Sequence, residues 1–232
     1  MCPVRPTPRI VVFALCLVVL VPAAAAAQVT LVYRQHTGGR VDRIEIRQHV
    51  LPRGEVLGVS ATSGESYWIE IDDSGSVTAC RFEFPAEGTS WVAQREGTSL
   101  RLEGTVQGRT VSRTFTIDRH PWYESVERSL QQYAISGSLE PEQFWMIEPY
   151  GGGAYLMSGR IERHERVQVN GTFVEAVRVV VRPAGILSFI WSSTYWYSPV
   201  DGTFLKSESI RSILPLIPPT VVELMEDRRA RR

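Results

Sequence analysis

Residues 186–197, with the sequence ILSFIWSSTYWY, contain the pattern that decides the fold. Within this stretch, bulky side chains occupy the alternate positions Leu187, Phe189, Trp191, Tyr195 and Tyr197, and small polar side chains occupy Ser188, Ser192 and Thr194. Alternate residues of a β-strand project to the same face, so the segment is predicted to be a strand with one aromatic face. Such a face needs shelter from water, either as ordinary core or as the lining of a cavity for an apolar ligand.

The same two-residue period recurs through much of the chain. Residues 43–50, 67–72 and 110–117 alternate apolar with polar side chains, which is typical of antiparallel strands with one buried and one solvated face. We expect about seven or eight strands between residues 29 and 118, and about six strands after residue 137. Residues 154–163 and 165–169 are predicted as two strands joined by a polar turn, and Asn170-Gly171 is predicted as a tight turn.

Residues 121–136 break this period and predict one helix. The residues that recur there at helical spacing are Trp122, Val126, Leu130, Tyr133 and Ala134. Pro121 suits a first turn, Asp118 or His120 could cap the helix, and Gly137 ends it. A single amphipathic helix in a strand-rich chain must lay its apolar stripe on the sheet.

The C-terminal residues predict a second, short helix. Thr220 is its expected cap, and Val221, Val222, Leu224 and Met225 give it one apolar face. The arginines between residues 228 and 232 are interpreted as charges that complement the end of this helix, in preference to a basic tail that meets acidic lipid or a partner. The predicted fold class is therefore mainly β: a single curved antiparallel sheet, a half-barrel-like meander, with one crossing helix at about 121–136 and a short C-terminal helix.

Residues 1–27 are predicted to be a secretory signal peptide. Arg5 and Arg9 precede the apolar run Ile10–Val21, which is too short to span a bilayer comfortably, and Ala25 and Ala27 suit cleavage before Gln28. The predicted organisation is a signal peptide at 1–27 and a single β-rich domain at 28–232 with a basic C-terminal tail. We expect a soluble bacterial protein that is periplasmic or secreted, with no integral membrane segment after cleavage.

Few residues carry recognisable chemistry. The four histidines lack metal-binding spacing, no serine lies in a G-x-S-x-G motif, and Gly151-Gly152-Gly153 lacks the lysine of a phosphate loop. Cys80 lies in a strand pattern and is predicted to be a buried, unreactive thiol. The 25 basic and 25 acidic residues balance, which argues against a nucleic-acid partner. We therefore predict a protein that is not an enzyme and has no cofactor and no metal site.

Two segments between residues 173 and 208 resemble a known superfamily. Residues 175–179 (EAVRV), followed after a glycine turn by residues 195–206 (YWYSPVDGTFLK), resemble the closing meander of exported bacterial proteins similar to the lipoprotein-carrier (LolA/LolB-like) superfamily. The resemblance implies a strongly curved antiparallel half-barrel whose concave face is plugged by helices and accepts acyl chains. It carries over no catalytic motif.

Three functional hypotheses follow from these patterns. The first is a non-enzymatic protein that binds an apolar or lipid-like ligand on the concave face of the sheet. Its expected ligand-binding residues are Leu187, Phe189, Trp191, Tyr195, Tyr197, Trp122 and Tyr133. The second is an envelope interaction or structural module with a filled core, whose partner is another envelope protein. The third and least favoured is a hydrolase with an unrecognised site.

Overall fold

The computed structural model describes residues 28–185, 191–210 and 219–229, and these residues form one antiparallel sheet of 14 strands. The first eight strands are β1 (Gln28–Thr37), β2 (Arg40–Val50), β3 (Glu55–Ala61), β4 (Ser66–Ile71), β5 (Val77–Phe84), β6 (Thr89–Glu96), β7 (Ser99–Val106) and β8 (Arg109–Thr116). The remaining six are β9 (Glu142–Glu148), β10 (Gly153–Val169), β11 (Thr172–Pro183), β12 (Ser192–Tyr197), β13 (Phe204–Ile210) and β14 (Thr220–Arg229). The predicted fold class, a single antiparallel sheet with a short crossing helix, is confirmed.

The first and last of the described strands, β1 and β14, are neighbours in the sheet. Neighbours run β8-β7-β6-β5-β4-β3-β2-β1-β14-β13-β12-β11-β10-β9, so two meanders meet where β1 pairs with β14. Strands β8 and β9 are the two edges of the sheet, although they follow one another in the chain. The segment 117–141 that connects them therefore has to run from one edge to the other.

The predicted C-terminal helix is wrong, because residues Thr220–Arg229 form strand β14. This strand pairs with β1 on one side and with β13 on the other. Val222 and Leu224, two residues apart, both pack against the core, which is the period of a strand. A short apolar run does not distinguish strand from helix by itself, and two ladders of backbone hydrogen bonds decide the outcome here.

Residues 154–169 also differ from the prediction, because they form one long strand without an internal turn. The register of β10 against β11 shifts between Ile161 and Arg163, as expected when one extra residue forms a β-bulge. The polar residues that were predicted to form a turn therefore form an exposed bulge. The predicted tight turn is confirmed: Asn170 and Gly171 have φ angles of 46° and 79° and connect β10 to β11.

The predicted helix begins later than expected and is bent. Its helical parts are α1 (Val126–Ser129) and α2 (Gln131–Ser136), and Gly137 ends α2 with a positive φ of 66°. Residues 121–123 are extended, because their backbone bonds to strands instead of to a helix. The Tyr123 N–H donates to the Trp145 carbonyl at 2.8 Å, and the Val77 N–H donates to the Trp122 carbonyl at 2.8 Å. The segment is thus fastened to β9 and to the start of β5.

Most of the buried apolar side chains form two separate clusters on the inner face of the sheet. The first cluster combines β1 and β9–β13 with α1 and α2, and the second combines β3–β7 with Trp122 and Ile147. Strand β9 contributes to both, since Phe144 lies in the first cluster and Ile147, on its opposite face, lies in the second. The sheet is therefore rolled so that its β9 edge has both faces covered.

Two smaller expectations concern Cys80 and the membrane. Cys80 is buried in the second cluster, and burial raises the pKa of its thiol well above the usual range, which fits an unreactive thiol. Within residues 28–185, 191–210 and 219–229, no helix has the length and apolar character needed to cross a bilayer.

Replacing Trp122 by alanine should destabilise the fold strongly. The side chain is 0% exposed, so its loss leaves a cavity at the centre of the second cluster and should cost about 3–5 kcal/mol of unfolding free energy. Trp68, which is 51% exposed on the outer face of β4, is the matched control, and Trp68→Ala should change stability by about 0.5 kcal/mol or less. Urea unfolding followed by circular dichroism measures both, and equal losses would contradict the assignment of Trp122 to the core.

Replacing either of two strand glycines by alanine should change the stability of the fold, and the direction of the change should differ between them. Gly104 has a φ of 147°, and a Cβ there would lie 2.3 Å from the Ser90 carbonyl oxygen, so Gly104→Ala should destabilise by more than about 1 kcal/mol. Gly58 has no atom within 4 Å of its Cβ position, so Gly58→Ala should be neutral or stabilise by about 0.4–1 kcal/mol. Thermal unfolding of the two variants gives the comparison, and a destabilised Gly58→Ala together with an unaffected Gly104→Ala would refute it.

Candidate functional site

The crossing segment does not cover the whole inner face of the sheet. Between the two clusters, several apolar side chains of β2, β3 and β4 remain only partly buried, notably Ile44, Ile46, Val59, Ala61 and Tyr67. They face a cavity of about 200 Å³ that lies under residues 124–127. We call it the acidic cavity, for the side chains described below. An apolar surface that borders a partly enclosed, unfilled space is typical of a ligand site.

Three kinds of side chain line the acidic cavity. The apolar and aromatic residues of the lining are Ile44, Ile46, Val59, Ala61, Ile69, Val222, Tyr33, Tyr67 and Phe204. The neutral polar residues are Gln35 and Ser125, and the acidic residues are Glu65, Glu124 and Glu127. None of the described residues that line this cavity is a lysine, an arginine or a histidine.

A second, wider hollow of about 750 Å³ lies at the opposite end of the same strands. Its lining includes Val50 and Ile71 from the sheet and Tyr123 and Tyr133 from the crossing segment. Residues 124, 125 and 127 face the acidic cavity, whereas residues 123, 128 and 129 face the wide hollow. The start of the helical segment thus forms the partition between the two spaces.

An ion pair fastens this partition to the sheet. The Arg128 guanidinium of α1 lies 2.6 Å from a carboxylate oxygen of Glu55, at the start of β3. Glu55 is buried, and it also accepts a hydrogen bond from the Gln48 amide. A buried carboxylate with both a cation and a neutral donor is well compensated, so this contact holds α1 against β2 and β3.

Glu124 is the most perturbed acid of the site. Its Oε1 atom accepts hydrogen bonds from the Trp122 indole N–H and from the Ile147 backbone N–H, the latter at 2.8 Å. Its accessible surface faces the cavity, and removal from bulk water raises its pKa from 4.5 to about 8, although the two hydrogen bonds lower it. At neutral pH, Glu124 therefore holds its proton in most molecules when the cavity contains no cation.

The other two acids extend the negative character of the cavity. Burial raises the pKa of Glu127, against hydrogen bonds from its own backbone and from the Ser125 hydroxyl, which lies 3.2 Å from Oε2. Glu65 accepts a hydrogen bond from the Tyr150 hydroxyl at 2.7 Å. The pKa of Tyr67 is raised well above its usual range, first by burial and then by nearby groups that include Glu124 and Glu65. The acids therefore act on the same enclosed space.

The structure places the residues that the sequence singled out in different positions. Tyr195 and Tyr197 lie in the first cluster, where the Tyr197 hydroxyl donates to the Val126 carbonyl at 2.8 Å. Trp191 is partly buried against that cluster. Leu187 and Phe189, and with them the first part of the stretch 186–197, lie outside the described residues.

The two predicted site residues of the crossing segment lie in different clusters. Trp122 belongs to the second cluster, and Tyr133 belongs to the first. Tyr133 also lines the wide hollow, so it is the predicted residue that borders an open space directly. Its hydroxyl donates to the Glu140 carbonyl at 2.9 Å.

Sequence reasoning missed the residues that line the acidic cavity. The alternation of β2, β3 and β4 assigned Ile44, Ile46 and Tyr67 to the inner face, but it could not tell which part of that face the helix leaves uncovered. The crossing segment gave little further signal, because Glu124 and Glu127 lie between the residues of its apolar stripe, where acids are expected to face solvent. In the structure they line the cavity instead.

The described residues contain no cluster of three or more His, Cys, Asp and Glu side chains suited to a metal ion. Asp118 and His120 form a contact of 2.8 Å between Oδ1 and Nδ1. The Trp145 indole N–H and the His120 backbone N–H also donate to Asp118, and these bonds lower its pKa to about 2. Asp118 thus fixes the turn that enters the crossing segment and caps no helix.

The raised pKa of Glu124 predicts a specific dependence of stability on pH. Between about pH 5 and pH 8 the folded state retains a proton that the unfolded chain has released, so the free energy of unfolding should fall as the pH rises. The slope should approach about 1.4 kcal/mol per pH unit for each such proton. Glu124→Gln, which keeps an acceptor oxygen, should flatten the slope and exceed the wild type in stability at pH 8.

Urea unfolding between pH 5 and pH 8 measures this slope. Glu127, whose pKa is raised as well, should leave a residual slope of the same sign in Glu124→Gln. Glu70→Gln, on the exposed outer face of β4, is the control and should keep the wild-type slope. An unchanged slope in Glu124→Gln would show that this carboxyl is not held protonated in the fold.

No family model matches the sequence, and no curated protein matches it. Solved structures do match. A beta-barrel-like protein of the domain of unknown function DUF1849 from Brucella abortus aligns over 90% of this chain and 100% of its own, with a TM-score of 0.60 and 9% identity.

Two further structures align with lower TM-scores. The hypothetical lipoprotein YmcC from Escherichia coli covers 86% of this chain and 84% of its own, with a TM-score of 0.38 and 12% identity. A LolA superfamily protein from Nitrosomonas europaea covers 89% and 86%, with a TM-score of 0.26 and 9% identity. The Brucella protein shares the overall fold of this chain, a rolled, barrel-like antiparallel sheet.

Proposed function

We propose that this protein binds an apolar or lipid-like ligand on the inner face of its sheet and performs no chemistry on it. The observation that carries the proposal is the set of partly buried apolar side chains that face the acidic cavity, including Ile44, Ile46 and Val59. A folded chain gains by covering such a surface, at about 0.8 kcal/mol for each methylene group that a ligand buries there. The described residues offer a shaped space, and no cluster of groups in it resembles a nucleophile with its base.

The wide hollow supplies the second part of the proposed site. Its volume of about 750 Å³ lies within the range of small-molecule sites, whereas the acidic cavity alone is smaller than such sites. A chain-like ligand that occupied both would pass the partition where Arg128 meets Glu55. Tyr133, which borders the wide hollow, is then a direct ligand contact.

The aromatic side chains of β12 do not contact the ligand directly in this proposal while the helices cover them. Tyr195 and Tyr197 are 7% and 0% exposed beneath α1 and α2, so they would meet a ligand only when the helical segment moves away. The hydrogen bond from the Tyr197 hydroxyl to the Val126 carbonyl would break in that movement. In the structure, α1 and α2 pack directly on these two rings.

The place of action that we propose is the bacterial periplasm or the exterior of the cell. The support comes from the sequence of residues 1–27, with basic residues, an apolar run and a small-residue cleavage site in that order. A soluble carrier in that compartment would meet lipids and lipid-modified proteins as partners. No nucleic acid is expected, given the equal numbers of acidic and basic residues.

A second candidate is an envelope interaction module whose core is filled and whose partner is another protein. The complete burial of Tyr197 and the close cover of the first cluster by α1 and α2 favour it over part of the inner face. It predicts that the acidic cavity stays free of lipid. A measurement of lipid bound to the purified protein therefore separates the two candidates.

Filling the acidic cavity should weaken ligand binding, because it removes one of the two parts of the proposed site. Ala61→Leu places three additional carbon atoms into the cavity, and we expect a weaker fluorescence response to a neutral apolar dye such as N-phenyl-1-naphthylamine. Ser60→Leu adds an apolar side chain to the exposed outer face of the same strand, one residue away, and should leave the response unchanged. Mass spectrometry of organic extracts should find less lipid with Ala61→Leu than with the wild type or with Ser60→Leu.

Two outcomes would contradict the proposal. If the wild-type protein gives no dye response and retains no lipid, the filled-core module is the better account. If Ala61→Leu and the wild type bind the dye equally, the ligand lies elsewhere on the molecule.

A further inference from the structure

The acids of the cavity come from two separate parts of the chain that converge on one space. Glu65 lies just before β4, and Glu124 and Glu127 belong to the crossing segment. The described lining supplies no basic side chain to balance them. The wide hollow is acidic as well, with Glu55, Asp72, Asp73 and Glu142 in its lining, but it contains Arg128, which pairs with the buried Glu55. The acidic cavity differs because its described lining holds no basic side chain at all.

The hydrogen bonds that the three acids accept in this cavity come from neutral donors. They are the Tyr150 hydroxyl for Glu65, the Trp122 indole and Ile147 backbone for Glu124, and the Ser125 hydroxyl and its own backbone N–H for Glu127. Neutral donors fix the orientation of a carboxyl group but do not balance the charge that it carries when ionised, so ionisation in these apolar surroundings is costly and Glu124 keeps its proton. A cationic partner from outside the chain would favour the ionised carboxylates and remove this cost.

We propose that the acidic cavity binds the cationic end of an amphiphilic ligand, a protonated amine joined to an apolar chain. This inference rests on the proposed function, since it assigns a headgroup to the ligand of the same site. The ammonium would lie among Glu65, Glu124 and Glu127, and the attached chain would lie along Ile44, Ile46 and Val59. The cavity of about 200 Å³ has the volume of about seven water molecules, enough for an ammonium group and the first carbons of a chain.

The chemistry of the lining disfavours the other ligand classes. An anionic headgroup would meet three acids and no base, at a cost that rises as water is excluded. A neutral headgroup would leave the carboxyls as they are and gain only its apolar contacts. The raised pKa of Glu124 is consistent with this assignment, because an arriving cation would favour the ionised form and displace the proton.

Three amphiphiles with the same chain and different headgroups test the inference. Calorimetry at pH 7, below the micelle-forming concentration of each, gives dissociation constants for dodecylamine, dodecanol and dodecyl sulfate. The wild type should bind dodecylamine at least about tenfold more tightly than dodecanol, and dodecyl sulfate most weakly. The double variant Glu124→Gln/Glu127→Gln should lose the preference for the amine and keep its affinity for dodecanol within about twofold.

The control variant is Glu70→Gln, which removes one acid from the exposed outer face of β4 and should keep the full preference. Equal binding of dodecylamine and dodecanol by the wild type overturns the headgroup assignment while the proposed function stands. Failure of all three amphiphiles to bind overturns the proposed function itself. The wild-type comparison decides the question even if the double variant does not fold, and Glu65→Gln then gives an independent second variant.

Discussion

The need to shelter one face of a very long antiparallel sheet from water determines the rest of this structure. Fourteen strands present more apolar surface on their inner face than two short helices can cover. The chain meets this need by rolling the sheet so that β9 covers the second cluster while the helices cover the first. The remaining uncovered area lies between the clusters, and there the acidic cavity forms.

The sequence predicts the larger features well because they depend on the local period of apolar residues. The alternation in residues 43–50, 67–72 and 110–117 is sufficient to define antiparallel strands, and Asn170-Gly171 defines a hairpin turn by its backbone preference. The errors arise where the secondary structure of a segment depends on strands that are distant in sequence. Residues 220–229 suit helix and strand alike, and the gap between β1 and β13 makes them a strand.

The site was less predictable than the fold for a related reason. The aromatic residues of 191–197 were prominent in the sequence, but the helices pack directly on Tyr195 and Tyr197. The cavity instead lies over the ordinary inner-face residues Ile44 and Val59, which no local pattern distinguishes from core. Which part of a sheet a helix leaves uncovered depends on where the crossing segment is fastened. That position is set by side chains far apart in sequence, such as Arg128 and Glu55.

The pairing of β1 with β14 has a consequence for the order in which the chain can fold. The partners Val29 and Arg229 are 200 residues apart, so this ladder closes one of the largest loops that the chain allows. Contacts of such separation form slowly, and until they form, the inner strands of both meanders have an unpaired edge. The ladder between β1 and β14 therefore cannot close until residues 220–229 have been synthesised, and the strands of the two meanders can pair among themselves before it does.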